Sequence, residues 1–270
     1  MKEYLHEICR SVASPLFARN KAREYLQALI LGGMQKSGAM TSCAFHGGTA
    51  LRFLHALPRF SEDLDFALER DHTHFDLNSV LRQIKTELTR NGFEVTLKAQ
   101  MNRVVQSAFI QFPGLLYELN LSNHVSESLA IKIEIDTRPP AGAVLETTLI
   151  RRYLPLHLQH HDPATLLAGK INAILTRGFS KGRDWYDLLW YLSNPDWPEP
   201  NLVLLENALQ QKAGETIPFA LTGWREAIWQ IAEKLNFDLL RADLSPFMED
   251  ERDLQLLCRD VFKKLLAGDW

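Results

Sequence analysis

A glycine turn in this sequence is followed, after a short helical stretch, by two aspartates. An apolar segment at 41–45 predicts a strand, and the spacing of apolar residues in 49–56 predicts a helix. Residues 61–68 alternate between apolar and polar side chains, which is the period of a strand. Asp63 and Asp65 are therefore predicted to share one face of that strand, beside the glycine turn.

The two aspartates form a candidate site for divalent cations. Two carboxylates on one strand face repel each other unless a positive charge compensates them, and Mg²⁺ or Mn²⁺ prefers such hard oxygen ligands. Two cations would clamp the attacking oxygen and the leaving pyrophosphate of an in-line displacement. Asp63 and Asp65 are therefore the predicted metal ligands. Ser61, two residues earlier on the same face, is expected to contact a phosphate or a metal-bound water.

The glycine turn is a candidate binding site for phosphate. Gly47 and Gly48 allow backbone N–H groups to approach a phosphate closely, and the N-terminus of the following helix favours negative charge. Thr49 is expected either to donate its hydroxyl to the phosphate or to cap the helix. The turn and the acidic pair together predict a site for a nucleoside triphosphate and its metal ions.

Two strings in this segment resemble the signature of a known family. Gly-Gly-Thr-Ala-Leu begins at Gly47, and Arg-Phe-Ser-Glu-Asp-Leu-Asp-Phe begins at Arg59. Together they look like the nucleotidyltransferase toxins of the AbiEii/AbiGii family, which belong to the polymerase-β-like nucleotidyltransferase superfamily. That family also has a lysine on a later helix and an Arg-Asp pair that opens the next one. Lys170 and the pair Arg183-Asp184 are similar to those motifs.

The resemblance implies a toxin of a toxin–antitoxin or phage-defence system, with a cognate antitoxin as its partner. It implies a metal-dependent enzyme that transfers a nucleoside monophosphate from an NTP to an acceptor, which in related toxins is the 3′ end of tRNA. Lys170 would neutralise charge on the triphosphate, and Arg59 would bind the triphosphate or RNA phosphates. Asp184 would accept a proton, orient Lys170 or cap the helix that begins there. Asp187 would sit in the first turn, where an acid is favourable in any helix.

Arg177 is a second candidate cation for phosphate binding. It lies seven residues after Lys170, which is two helical turns, so the two side chains share one helix face. An arginine can hold a phosphate through two parallel hydrogen bonds, whereas a lysine acts as a point charge. The alternative is an exposed helix face that binds no ligand.

A third carboxylate is expected from residues 131–136, where three isoleucines alternate with Lys132, Glu134 and Asp136. Enzymes of the resembled superfamily often take a third acidic residue from a neighbouring strand. Glu134 is the first candidate and Asp136 the second. The alternative is a half-exposed strand whose charged face is only solvated.

The predicted fold class is α+β. A nucleotidyltransferase-like mixed sheet with flanking helices is expected over residues 1–155, with its last strand closed by Pro139-Pro140, and a helical domain over residues 156–270. The expected helices are 2–36, 74–91, 163–176, 184–193, 201–213, 219–235 and 249–267.

Composition places few limits on the partners of this chain. Of its 270 residues, 46% are apolar and 23% are charged, which is typical of a folded soluble protein. The net charge of −3 does not indicate a nucleic-acid binder, and it says nothing of local basic patches. No apolar run suits a membrane span and the first residues lack a signal core, so we expect a cytoplasmic protein. The cluster of His157, His160 and His161 is expected to be a surface linker.

Three other functions stay open on the sequence. The same site would serve to nucleotidylate a protein or a small molecule, and a metal-dependent phosphohydrolase would release phosphate without labelling an acceptor. A non-catalytic nucleotide- or protein-binding module would keep the fold alone. The last is disfavoured because a decayed site usually loses a carboxylate, whereas this chain keeps the whole polar set: Ser61, Asp63, Asp65, Lys170 and Asp184.

Overall fold

The computed structural model of the chain describes residues 1–70, 73–213 and 219–268, which form two compact units. The first unit consists of Met1–Ala56, Phe60–Pro139 and Leu145–His160, and the second of Leu57–Arg59, Pro140–Val144 and His161–Trp270. The sequence suggested a single boundary between residues 155 and 156. In the structure the chain passes from the first unit to the second for the last time after His160, a few residues later than predicted. Two short earlier segments also belong to the second unit.

Within the described residues, the first unit contains seven strands that form one sheet. They are β1 (Cys43–His46), β2 (Leu64–Leu68), β3 (Thr96–Gln100), β4 (Val105–Phe112), β5 (Leu129–Asp136), β6 (Leu145–Arg152) and β7 (Leu154–His161). Their order across the sheet is β3-β4-β5-β2-β1-β7-β6. β1 is parallel to β7 and β2 is parallel to β5, while β2 is antiparallel to β1 and β4 is antiparallel to both β3 and β5. This mixed sheet confirms the predicted fold class.

The helices of the first unit include α1 (Lys2–Arg10), α2 (Pro15–Lys36), α3 (Gly47–His55), α4 (Leu77–Arg90) and α5 (Leu115–Glu118). The prediction of one helical stretch over 2–36 is wrong in one respect, because α1 and α2 are separate. Ser14 caps α2 by accepting a hydrogen bond from the backbone N–H of Phe17, and Pro15 occupies the first helical turn. A serine cap followed by proline starts a new helix rather than continuing the old one.

One face of the sheet is covered by helices. Leu64 and Phe66 of β2 are at most 1% exposed, and Ile131, Ile133 and Ile135 of β5 are completely buried. α2 packs against β5 and against α4. The positions that alternate with these apolar residues point to the opposite face, so this register decides which polar side chains lie together there.

β6 and β7 lie beyond Pro139-Pro140, where we expected the sheet to end, so that prediction is wrong. β7 is parallel to β1, with Phe45 opposite His160. His160 and His161 are buried in this strand, so the prediction of a surface linker is also wrong. Pro155 and the histidines hid β7, because neither residue type is typical of a strand, although pairing with β1 buries it.

The second unit is helical, as predicted, apart from its short segments. Its helices are α6 (Pro163–Thr176), α7 (Gly182–Leu192), α8 (Leu202–Ala213), α9 (Phe219–Ala232), α10 (Phe237–Leu244) and α11 (Arg259–Ala267). The prediction of one helix over 249–267 is wrong, since a 3-10 helix at Glu251–Leu256 precedes α11, and α10 was not anticipated. None of the helices that the structure describes is long and apolar enough to cross a membrane.

Candidate functional site

The glycine turn joins β1 to α3 and brings the backbone against an aspartate carboxylate. Gly47 has a φ of +77°, a left-handed conformation that favours glycine. A Cβ atom at this position would lie 2.5 Å from Oδ2 of Asp65. Two separate reasons therefore favour glycine at this position: the backbone conformation, and the carboxylate that occupies the space of a Cβ atom. Because Gly47 is also the first residue of α3, the N–H donors of that helix begin next to Asp65.

The N-terminus of α3 presents its first backbone N–H groups at the glycine turn. The first N–H groups of any α-helix have no partner inside the helix. His46 is the N-cap of α3, and its side chain makes no capping hydrogen bond to them. The turn therefore has the properties that a phosphate requires, namely N–H donors and the positive end of a helix dipole.

Thr49 has a different position from the one expected of a phosphate ligand. It is completely buried, and its hydroxyl donates a hydrogen bond to the backbone carbonyl of Asp63. Gln27 of α2 holds the same loop from another side, because its amide donates to the carbonyls of Ser61 and Glu62 at 3.1 and 2.9 Å. Thr49 and Gln27 thus fix the backbone just before β2. No sequence pattern indicated this role for Gln27, which is a buried polar residue in the largely buried helix α2.

Asp63 and Asp65 retain the alternation that the sequence predicted. β2 begins at Leu64, so Asp63 lies immediately before the strand and Asp65 lies inside it. Both carboxylates are half-buried, whereas Leu64 and Phe66 are buried on the covered face. This burial pattern indicates that both acids lie on the face of the sheet opposite to the helices.

Glu134 lies directly beside Asp65 in the sheet. The two residues are register partners of the parallel strands β5 and β2, and register partners have side chains on the same face. Glu134 also forms an ion pair of 2.7 Å with Lys132. Asp136 instead lies opposite Ala67, and its Oδ1 accepts a hydrogen bond from the backbone N–H of Arg138 at 2.9 Å. The register therefore favours Glu134 over Asp136 as the third acid.

A second polar cluster lies inside the helical unit. Lys170 of α6 places its Nζ 2.7 Å from Oδ2 of Asp187 and 3.1 Å from Oδ1 of Asp184, both on α7. Burial alone would lower the pKa of Lys170, but the attraction of Asp187 and Asp184 outweighs it and raises that pKa above its usual value. Lys170 is therefore a fixed positive charge rather than a proton donor or acceptor near neutral pH.

Arg177 reaches the same carboxylate as Lys170, although it follows the last residue of α6 and has an extended backbone rather than a place on the helix face that we predicted. Its Nη1 lies 2.5 Å from Oδ2 of Asp184. Burial raises the pKa of Asp184, but the charges of Lys170 and Arg177 lower it more, so the net shift is downward. A carboxylate with a lowered pKa is a poor proton acceptor. Of the three roles expected for Asp184, the geometry fits the orientation of Lys170.

Arg59 occupies a position that its place in the sequence did not predict. It is 2% exposed, and its guanidinium donates to Asp187 through Nε and Nη2, both at 2.6 Å. This bidentate pair leaves the side chain buried and engaged, which does not suit the expected role of a triphosphate or RNA ligand. Asp187 in turn links Arg59 to Lys170. The prediction that Asp187 lies in the first turn is wrong, because α7 begins at Gly182 and only Asp184 is in its first turn.

The start of α7 is built to hold its acids in place. A Cβ atom at Gly182 would lie 2.2 Å from the backbone oxygen of Leu240, so α10 approaches too closely for any other residue. The backbone N–H of Gly182 donates to Asp243 at 2.8 Å. Trp185 and Tyr186 of α7 are buried in the core. The orientation of Asp184 and Asp187 therefore follows from packing of the whole unit.

The residues around Asp65 fit a magnesium ion that is shared with a substrate. In the part of the chain that the structure describes, no group of three or more His, Cys, Asp or Glu side chains is arranged to hold a metal. Magnesium bound with nucleotides commonly takes only one or two carboxylates from the protein and completes its shell with phosphate oxygens and water. Asp63 and Asp65, beside the N-terminus of α3, provide that set.

Comparison with known proteins identifies a family and two structures of similar fold. Residues 29–267 match the family described as "Nucleotidyl transferase AbiEii toxin, Type IV TA system". No curated protein matches the chain. Among solved structures, a "putative nucleotidyltransferase" from H. pylori has a TM-score of 0.58 at 19% identity, with 95% of this chain and 97% of that chain covered. JHP933 from Helicobacter pylori has a TM-score of 0.55 at 17% identity, with 92% of each chain covered.

The two structural neighbours share the fold of this chain, and the family match extends over most of its length. A type IV toxin–antitoxin family implies an antitoxin partner. The chain therefore belongs to the AbiEii family of nucleotidyltransferase toxins.

Proposed function

We propose that this toxin uses Mg²⁺ to transfer a nucleoside monophosphate from an NTP to the 3′ hydroxyl of an RNA in the cytoplasm. The tRNA 3′ end is the acceptor that the family resemblance indicates. The observation that carries the proposal is the contact between Gly47 and Asp65, because it joins a phosphate-binding helix terminus to a metal-binding carboxylate. Either feature alone is common, whereas their direct contact suits a metal–triphosphate complex.

Different residues of the first unit have different roles in this reaction. The N–H groups at the start of α3 bind the triphosphate, and Gly47 keeps the backbone close to it. Asp63 and Asp65 hold the cation, with Thr49 fixing the backbone of Asp63. Mg²⁺, when bound, neutralises charge on the triphosphate and favours departure of pyrophosphate. Mn²⁺ has the same ligand preference.

Glu134 is the proposed proton acceptor for the attacking hydroxyl. The acceptor oxygen forms a bond to the α-phosphorus of the NTP, the bond from that phosphorus to the bridging oxygen breaks, and pyrophosphate leaves. The hydroxyl proton passes to the Glu134 carboxylate, which lies beside Asp65 on the sheet. Asp184 is the weaker candidate, because its two cationic neighbours lower its pKa.

Lys170 is proposed to neutralise charge on the triphosphate. Asp184 and Asp187 both lie within 3.1 Å of its Nζ and keep the side chain in one orientation. Arg177 adds a second cation to the same cluster. The cluster contains three basic side chains and two carboxylates, and so has an excess of one positive charge. Its members are Arg59, Lys170, Arg177, Asp184 and Asp187. Such an excess favours an anionic ligand.

The test is transfer of label from each of the four NTPs, labelled at the α-phosphate, with Mg²⁺ and either total tRNA, total protein or no acceptor. We expect label in tRNA, and loss of that label when EDTA is added. Label in protein would move the acceptor to the alternative class of nucleotidylation. Release of phosphate or pyrophosphate without a labelled acceptor would identify a phosphohydrolase, and no turnover of any NTP would identify a binding module.

A further inference from the structure

The open face of the sheet carries an ordered row of side chains next to the proposed acids. Register places Lys98 of β3 opposite Phe109 of β4, and Phe109 opposite Lys132 of β5. Lys132 precedes Glu134 by two residues, so it shares the face of Glu134 and Asp65. Two residues along a strand correspond to about 7 Å, which places this row one step from the proposed metal ligands. We call Lys98, Phe109 and Lys132 the Lys-Phe-Lys row.

The row lies at the end of the sheet where the triphosphate would bind. Leu64, at the start of β2, is the partner of Ile133 in β5, so Lys132 lies level with the residues that precede β2. His46, at the end of β1, is the partner of Asp65. The glycine turn that follows His46 and the Lys-Phe-Lys row are therefore at the same end of the sheet, on opposite sides of β2.

The middle residue of the row, Phe109, exposes its aromatic ring to solvent. Phe109 is 42% exposed, although its strand neighbours Ala108 and Ile110 are completely buried. Lys132 lies over its ring, with Nζ 5.9 Å from the centroid. Lys98 is exposed and has no ion-pair partner among the described residues. An exposed aromatic ring in mid-strand with a lysine on each side is the composition of a platform for stacked bases and their phosphates.

The direction from which the acceptor must approach the triphosphate indicates which molecule lies on this platform. In-line displacement requires the attacking hydroxyl to approach the α-phosphorus from the side opposite to the leaving pyrophosphate. The sheet order β3-β4-β5-β2-β1 places the glycine turn beyond one side of β2 and the Lys-Phe-Lys row beyond the other. If pyrophosphate leaves toward the helix terminus after β1, the acceptor arrives over β5, β4 and β3.

We propose that the Lys-Phe-Lys row binds the unpaired 3′-terminal nucleotides of the acceptor RNA. A terminal base stacks on Phe109, a phosphate lies beside Lys98, and Lys132 connects the row to Glu134 through their 2.7 Å ion pair. This inference rests on the proposed function, since it assigns the direction of approach from the positions of the triphosphate and the acids. It goes beyond that function by naming the surface that selects a single-stranded nucleic acid as acceptor.

Binding of RNA separates this inference from the chemistry. The probe is a short single-stranded RNA with a free 3′ hydroxyl and a fluorescein at its 5′ end, and the readout is fluorescence anisotropy with the full chain. Phe109→Ala is expected to weaken binding about 5-fold to 160-fold, which is the range for one base–aromatic stack. Phe109→Tyr keeps the ring and should bind like the wild type. Lys98→Ala should weaken binding and reduce the slope against salt concentration by about one.

Val105→Ala is the matched control, because Val105 lies on the same strand and face and is 41% exposed, yet is outside the row. It should bind RNA like the wild type. Unchanged RNA binding by Phe109→Ala, an equal loss with Val105→Ala, or no binding of RNA by the wild type would each overturn the inference. So would a Phe109→Ala variant whose KM for the NTP rises while its KM for RNA does not.

The two proposals fail in different ways. If Phe109→Ala loses RNA binding but the wild type labels no acceptor, the Lys-Phe-Lys row is supported and the proposed transfer reaction is not. If the wild type labels tRNA while Phe109→Ala binds and labels it equally well, the reaction is supported and the row is not.

Discussion

Gly47 faces the carboxylate of Asp65 so closely that a methyl group at Gly47 would lie 2.5 Å from Oδ2. The glycine conformation and the acid position are therefore one structural unit, although eighteen residues separate them in the sequence. This contact joins the helix terminus that we propose to bind the triphosphate to the carboxylate that we propose to bind the metal. The proposed chemistry depends on it.

Gly47→Ala should lower the rate of nucleotide transfer by about 100-fold, because displacement of Asp65 by about 1 Å is enough for a loss of that size. The measurement is transfer of α-labelled nucleotide to tRNA. Gly38→Ala is the control, since Gly38 has a similar φ of +80° but nothing within 4 Å of the added Cβ. It should lose about 1–2 kcal/mol of stability and keep its activity. Equal activity of the two variants would contradict the role of the contact.

Glu134→Gln should lower the turnover number by about 100-fold to 10,000-fold, the contribution of a positioned general base. Asp136→Asn should have little effect on turnover, because Asp136 lies opposite Ala67 and binds the backbone of Arg138. Steady-state kinetics of both variants decides between the two acids. A larger loss in Asp136→Asn would reverse the assignment.

Asp187→Asn should destabilise the helical unit by about 3–5 kcal/mol, which is typical when one partner of a buried ion pair is removed. Arg59 and Asp187 have side chains that are 2% and 0% exposed, so solvent does not compensate the loss. Urea unfolding followed by circular dichroism measures the change. Arg252→Ala, which removes an exposed ion pair with Asp250, should leave the midpoint unchanged. The same midpoint in wild type and Asp187→Asn would refute a structural role for this pair.

His55 should make the protein less stable as the pH falls below neutrality. Burial, with a smaller contribution from the charge of His160, lowers the pKa of His55 from 6.5 to about 4. Below pH 6.5 the unfolded chain therefore binds a proton at His55 more readily than the folded protein does. The free energy of unfolding falls as the pH decreases from 6.5 to about 4. His55→Phe should show a smaller loss of unfolding free energy over this interval. Parallel curves for the two proteins would exclude His55 as the cause.

Much of the site was readable from the sequence, because local patterns determine it. The alternation of Leu64, Asp65 and Phe66 predicted both the strand and the face of the acid, and burial agrees. The glycine turn likewise predicted a helix start, which the structure places at Gly47. Such features depend on neighbours in the chain, so a periodic pattern is enough to find them.

The parts that the sequence did not predict depend on distant contacts. Arg59 and Asp187 are 128 residues apart, and no local pattern indicates that they form a buried pair. Arg59 was expected to bind phosphate because it begins a motif, whereas in the structure its guanidinium is buried against Asp187. β7 was missed for the same reason, since Pro155 argues against a strand until pairing with β1 is known.

The proposed transfer of a nucleotide to RNA depends on Asp65 as a ligand of the metal ion. The most direct measurement compares wild type and Asp65→Asn for transfer of α-labelled nucleotide to tRNA in the presence of Mg²⁺, with unfolding curves to show that both are folded. We expect label in tRNA with the wild type and a loss of about 100-fold or more with the variant. Transfer at the wild-type rate by folded Asp65→Asn would contradict it.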